Sequence, residues 1–254
     1  TSGQTYRLGS DGTNNYTFNN ITIENGGVWE IDSDPLMNSG SGGAATINAS
    51  NVTIDTGGIF RADGLGFENG EGPGAGNDGM KGGTYGGRGY GNSDATYGSI
   101  DNPIHIGSSG TGGAEPGGKG PNGGGAISLS LSGALTINGT LSANGNAGRN
   151  TCASAGSGSG GSINIVAATL AGTTGSIEAE GGASGCNMGA GGGGRISLNG
   201  VVTDNYTGSI SANSYYDNPD SFPLRGHAGT IYLNAAKRSS WTIASGQTYR
   251  LGSD

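Results

Sequence analysis

Residues 123–145 read GGGAISLSLSGALTINGTLSANG. Behind three glycines, Ile127, Leu129 and Leu131 alternate with serines. After Ser132-Gly133, Leu135 and Ile137 flank Thr136, and after Asn138-Gly139, Leu141 and Ala143 flank Ser142. Alternation with a period of two over three to six residues marks a strand with one buried face, and the Gly and Asn residues between such runs mark turns. Three short strands thus follow one another in a fixed order.

The same triplet recurs along the chain. One column comprises Tyr6/Leu8, Trp29/Ile31, Phe60/Ala62, Leu141/Ala143, Ile177/Ala179, Ile210/Ala212 and Tyr249/Leu251. A second contains Ile21-Thr22-Ile23, Val52-Thr53-Ile54, Leu135-Thr136-Ile137, Val202-Thr203 and Trp241-Thr242-Ile243, with Leu170 as a degenerate member. A third contains Tyr16/Phe18, Ala45/Ile47, Ile127/Leu129, Ile163/Ile165, Ile196/Leu198 and Ile231/Leu233. Six units sharing three strand segments in one order predict an all-β fold, a parallel β-solenoid of about six coils. Its expected core stack is Trp29, Ile31, Phe60, Leu141, Ile177, Ile210, Tyr249 and Leu251 in the first column, with Ile127, Ile163, Ile196 and Ile231 in the third. The threonines of the second column point outward. A β-sandwich is the competing architecture, and it does not require a common segment order.

Composition agrees with a narrow core. Glycine supplies 58 of 254 residues, and Leu, Ile, Val and Phe together only about 15%, below the roughly 20% at which disorder becomes the default. Charged residues make up 12% and the net charge is −8, so self-repulsion does not drive the chain open. A solenoid needs one or two apolar side chains per strand, provided each stacks on the next coil. No apolar run is long enough to span a membrane, no charged-then-apolar signal opens the sequence, and no basic stripe points to nucleic acid.

Residues 2–11 and 245–254 are both SGQTYRLGSD, an offset of 243 residues. The chain therefore reads as a single solenoid module, 1–254, that spans one tandem period and overlaps the next. Segments that leave the coil, 34–43, 63–125, 144–161, 180–194 and 213–229, all depart from one corner. The longest, 63–125, is rich in Gly and Tyr; Ile100, Ile104 and Ile106 are candidates for an added strand within it, and the alternative is a lateral flap. Tyr85, Tyr90, Tyr97 and Tyr216 are expected to pack, with glycan contact as the alternative role. Cys152 and Cys186 fall in excursions of successive coils, which favours a disulfide and an oxidising, extracellular setting.

Chemistry-bearing motifs are sparse. Gly113–Gly120 is nearly a phosphate-binding loop but lacks the closing Ser/Thr and a following helix. Asp32/Asp34 and Asp217/Asp220 are oxygen-donor pairs that could hold Ca²⁺, the one cofactor considered. Asn15, Asn20, Asn48, Asn51, Asn138 and Asn205 open glycosylation sequons. Arg61, Arg195 and Arg250 fall in different columns, and His105 and His227 have no evident partner, so no catalytic constellation assembles and the chain is not read as an enzyme.

Residues 123–200, with GSGGSINIVAATLAGTTGSIEAEGGASG at 158–185 and GGGGRISLNG at 191–200, resemble the Gly-rich repeats of very large bacterial and archaeal surface proteins. That resemblance implies a secreted surface or fibre protein and supplies no catalytic residues. The expected function is a structural repeat of an extracellular filament, stalk or surface fibre whose partners are copies of itself, stacked end to end and in lateral contact. A glycan-binding adhesin or phage-fibre segment is the alternative, and a polysaccharide lyase or hydrolase is a third class.

Overall fold

The computed structural model describes residues 3–9, 13, 15–76, 79–112, 120–148, 155–184, 189–216, 224–233 and 250–251. Its first wall is a six-stranded sheet made from β1 (Thr5–Leu8), β4 (Val28–Ile31), β9 (Ile59–Arg61), β12 (Thr140–Ser142), β14 (Ser176–Glu178) and β17 (Ser209–Ser211). Each strand pairs in parallel with the next, in the register Tyr6↔Trp29↔Phe60↔Leu141↔Ile177↔Ile210. The second wall holds β3 (Asn20–Ile23), β8 (Asn51–Ile54), β11 (Ala134–Ile137) and the C-terminal halves of β13 (Ser162–Ala171) and β16 (Arg195–Asp204). The third holds β2 (Asn15–Thr17), β7 (Thr46–Ala49), β10 (Ala126–Leu131), the N-terminal halves of β13 and β16, β19 (Thr230–Leu233) and β20 (Arg250–Leu251). This is the expected parallel β-solenoid. Five coils contribute to all three walls, and β19 opens a sixth.

The strands of a coil are two to ten residues long, and those inside the stack, such as β7, β8 and β11, bury alternate side chains. Stacking these side chains removes them from water without a wide core. Ile47, Val52, Phe60, Ile127, Leu135, Leu141, Ile163 and Ile177 are fully buried in one continuous cluster. Near the N-terminal end the stack becomes aromatic: Phe18 meets Trp29 edge-on at 5.8 Å, and Trp29 lies 4.6 Å from Phe60. Thr22, Thr53 and Thr136 form an outward row in register, as expected.

Three register assignments are corrected. Val202, expected inward in the second column, is 61% exposed, and Asp204 pairs with Leu170 in its place. Tyr16 pairs with Ile47, two residues from the expected Phe18 pairing, because β2 is only three residues long and Phe18 lies beyond it, turned onto Trp29. Leu251 pairs with Leu233 in the third wall and not with the first-wall column of Ile210. The open edge of β19 offers unpaired backbone groups, and the two-residue β20 satisfies them. Tyr249, Trp241 and Thr242 lie outside the described residues.

Among its described residues the longest excursion, 63–125, holds no strand. Ile104 and Ile106 lie on an extended segment with no ladder, and Ile106 is buried against Phe67 and Ala126. Segments 156–161 (GSGSGG) and 189–194 (GAGGGG) show the principle. The amides of Gly156 and Ser159 donate to Thr111 and Ser108, those of Ser157 and Gly160 to Gly189 and Gly192, and those of Gly158 and Gly161 to Asn146 and Ala143. In the next chain, Gly189 and Gly192 donate to Met80 and Gly83, Ala190 and Gly193 to Leu224 and His227, and Gly191 and Gly194 to Gly182 and Ala179. Every third amide addresses the same neighbour, which is the symmetry of a three-residue-per-turn extended helix of the polyproline II type. Such a helix normally leaves its backbone to water. Here three neighbouring chains satisfy it, and the result is a glycine bundle packed along the corner of the solenoid.

Close approach explains the glycines of this bundle. A Cβ on Gly156 would stand 1.8 Å from the Lys81 carbonyl oxygen, and one on Gly191 1.9 Å from that of Gly158. Smaller features complete the fold. β5 (Ser33–Asp34) and β6 (Gly43–Ala44) pair antiparallel around a turn at Met37–Gly40 in which Asn38 and Ser39 adopt left-handed φ of 52° and 59°, and β15 (Gly181–Ser184) pairs in parallel with β18 (Ser214–Tyr216).

Candidate functional site

A solenoid has two ends, and each exposes the backbone edge of its last rung. Among the described residues β1 terminates the first wall at the N-terminal end and β17 terminates it at the other, each with one edge unpaired in the sheet. Tyr6 is in register with the buried Trp29 yet is 59% exposed, because among the described residues no strand pairs with the outer edge of β1. Tyr6, Gln4, Thr22, Ile23, Val28 and Trp29 border a shallow cleft of about 180 Å³ at this end. Arg7 pairs with Asp32 at 2.9 Å and fixes the terminal rung to the next coil. Both side chains are partly exposed, so this pair orients more than it stabilises.

The outward faces carry ladders of polar residues. Asn51 donates to Asn20 Oδ1 at 2.9 Å and accepts from the Ala134 amide at 2.8 Å. Asn48 donates to the Tyr16 carbonyl, and Asn138 accepts from the Thr173 amide. Four of the sequon asparagines, Asn20, Asn48, Asn51 and Asn138, therefore brace one coil against the next, and Asn15, Asn20, Asn51 and Asn205 are exposed. On the first wall the outward row runs Arg7, Glu30, Arg61, Ser142, Glu178, Ser211. Arg61 contacts Glu30 at 2.6 Å. Beside this row, Asp63 accepts from the Asn144 amide at 2.7 Å and from Ser142 Oγ at 2.9 Å, and Glu180 accepts from Ser211 Oγ.

Burial pushes the Asp63 carboxyl above its usual range, and repulsion from Glu178 adds to this; the two hydrogen bonds and Arg61 oppose it and lose. Glu180 is raised for the same leading reason, burial, again with Glu178 adding to it. These groups are hydrogen-bonded corner residues, and among the described residues no group of three acidic, His or Cys side chains could hold a metal ion. Asp32 is committed to Arg7 and the Ser33 amide, and Asp34 caps a turn through the Leu36 amide. Asp217 and Asp220 lie outside the described residues, as do Cys152 and Cys186 and their expected disulfide.

Tyr85 is fully buried, so its ring cannot meet a glycan. Its hydroxyl lies 2.6 Å from Ser162 Oγ, and burial pushes the phenol up to about 12. Tyr97 donates to the Ile106 carbonyl at 2.6 Å, and its ring lies 4.7 Å from that of Tyr85, tilted by 54°; burial raises its phenol too. Both join the excursions to the solenoid. Tyr90 is half-buried against Gly189, and the side chain of Tyr216 lies outside the description. His105 is held below its usual range by burial and by the Arg195 charge. Arg195 opens β16 and is itself buried. Sequence reasoning missed its importance, because a single Arg after a glycine run carries no periodic signal.

Comparison of the chain with protein-family models, with curated proteins and with solved structures finds no match.

Proposed function

We propose that this chain is a structural repeat of an extracellular filament or surface fibre, in which one copy continues the coil of the next. The observation that carries this reading is the unpaired β1 edge with its exposed, in-register Tyr6, together with the recurrence of that rung's sequence 243 residues later. In a tandem array the next copy's Thr5–Leu8 would lie beside Ser209–Ser211, with Tyr6 over Ile210 and Leu8 over Ala212. That register keeps apolar side chains inward and pairs β1 of one copy with β17 of the copy before it. It also moves the repeated decapeptide away from the third-wall seat that Arg250–Leu251 holds here. The copies would then form one rod, and the glycine bundles would line one side of it, available for lateral contact. A surface setting follows from the resemblance of residues 123–200 to Gly-rich surface-protein repeats, and the net charge of −8 keeps such a rod soluble.

Hydrogen exchange on a two-copy tandem protein tests this. The reading expects the amides of the internal Thr5–Leu8 rung to be protected like those of β9, and the same rung at the free N-terminus to exchange rapidly. Equal, rapid exchange of both rungs would overturn it.

A further inference from the structure

Only 11 Lys and Arg residues stand against 19 acidic ones, yet cationic groups converge on one cleft. It lies where the glycine bundle meets the last rungs of the third wall and encloses about 440 Å³. Arg88, Arg195, His227, Thr96, Thr230 and Ile100 line it, and no carboxylate is among the described residues of its lining.

Arg195 is fixed on three sides. Its Nε donates to the Tyr97 carbonyl at 2.9 Å, its Nη1 donates to Thr230 Oγ1 at 3.0 Å, and its guanidinium carbon lies 5.4 Å from the centre of the Tyr85 ring. The side chain is only 4% exposed. A guanidinium held this way loses little freedom on binding an oxyanion. Arg88 is exposed on the rim, and its carbonyl is anchored by the His227 amide at 2.7 Å.

The backbone adds donors. Along the lining, the amides of Gly87, His227 and Gly229 are used within the fold, bonding to Gly193, Arg88 and Ala212. Those of Gly86 and Ala228 make no hydrogen bond among the described residues. Free amides beside guanidinium groups make an environment that favours acceptor oxygens.

Volume and apolar lining narrow the ligand. About 440 Å³ lies within the roughly 300–1,000 Å³ of small-molecule sites and exceeds what an inorganic oxyanion fills. The exposed Thr96 hydroxyl can donate to or accept from a sugar hydroxyl, and Ile100, 38% exposed, offers an apolar patch to the carbon face of a ring. We infer that the cleft binds an acidic sugar unit of a glycan, with its carboxylate held by Arg195 and Arg88. The inference is independent of how copies join.

Calorimetric titration of the full chain tests it with four probes: a uronate trisaccharide, a sulfated trisaccharide, a neutral trisaccharide and inorganic sulfate. Saturable uronate binding that weakens with added salt is expected, with the neutral sugar at least about tenfold weaker. Arg88→Gln, at an exposed position, is expected to weaken uronate binding about tenfold at an unchanged melting temperature. Arg195→Lys keeps the charge, loses the fork, and is expected to weaken binding as well. No saturable uronate binding, or binding unaffected by Arg88→Gln, would overturn the site. Equal binding of inorganic sulfate, or tighter binding of the sulfated sugar, would overturn the uronate assignment.

Discussion

Replacing Gly158 by Ala tests the bundle at its most crowded kind of contact. The added Cβ would lie 2.0 Å from the carbonyl oxygen of Asn122 and 2.5 Å from its carbon, where ordinary contacts begin at 3.4 Å. The two chains must separate by more than an ångström, because the obstacle is backbone and cannot rotate away. That movement breaks the Gly158 amide bond to Asn146, 3.0 Å long, and the Gly182 amide bond to the Gly158 carbonyl, 2.8 Å long. Each buried group left unsatisfied costs about 1–3 kcal/mol. The stiffer unfolded chain returns only about 0.4–1 kcal/mol, so the net loss is on the order of 2–5 kcal/mol. For a chain of this length, that corresponds to a melting temperature lower by roughly 10 °C. Gly70 is the control: it has a positive φ of 81° but nothing within 4 Å of its Cβ position. Gly70→Ala therefore pays only the left-handed backbone penalty of about 1–2 kcal/mol. Urea and thermal melts followed by circular dichroism compare the two. A Gly158→Ala shift no larger than that of Gly70→Ala would refute close backbone packing as the reason for the glycines.

Three further outcomes follow from the same structure. Phe60→Ala removes a fully buried ring stacked on Trp29 and is expected to cost about 3–5 kcal/mol, measurable by urea titration. Asp63 and Glu180 bind protons more tightly folded than unfolded, so their contribution is greatest at acid pH and is lost as pH rises from the ordinary carboxylate range through their raised values. Asp63→Asn is accordingly expected to flatten the fall in melting temperature as pH rises from the ordinary carboxylate range; an unchanged slope would contradict the assignment. Tyr85→Phe forfeits the 2.6 Å contact with Ser162 in a buried site and is expected to lower stability by about 1–2 kcal/mol. Alkaline absorbance titration should show one phenol fewer among those ionising last.

The solenoid walls are legible in the sequence because Ile-Ser-Leu and Leu-Thr-Ile alternation encodes which face is buried, and Asn-Gly punctuation encodes the corners. Register is less legible where a strand is short: nothing in Tyr16-Thr17-Phe18 says which aromatic meets Ile47, and the nearby Trp29 ring decides it. The glycine bundle is nearly invisible to this kind of reading. A threefold extended chain buries backbone, and GSGSGG or GAGGGG offers no apolar period to count. Its only trace is the crowding of glycine into the excursions, which flexible loops share. The tail misleads for another reason: identical decapeptides predict identical seats, but β1 lies against β4 while Leu251 meets the free edge of β19. The cationic cleft escapes notice because Arg88, Arg195 and His227 are scattered along the sequence and converge only when bundle and wall pack together.

End-to-end continuation of the coil is tested most directly by electron microscopy of a protein carrying three tandem 243-residue periods. Six first-wall rungs per period at about 4.8 Å each predict an unbroken rod that lengthens by roughly 29 Å per copy. Separate globular beads at irregular spacing would contradict it.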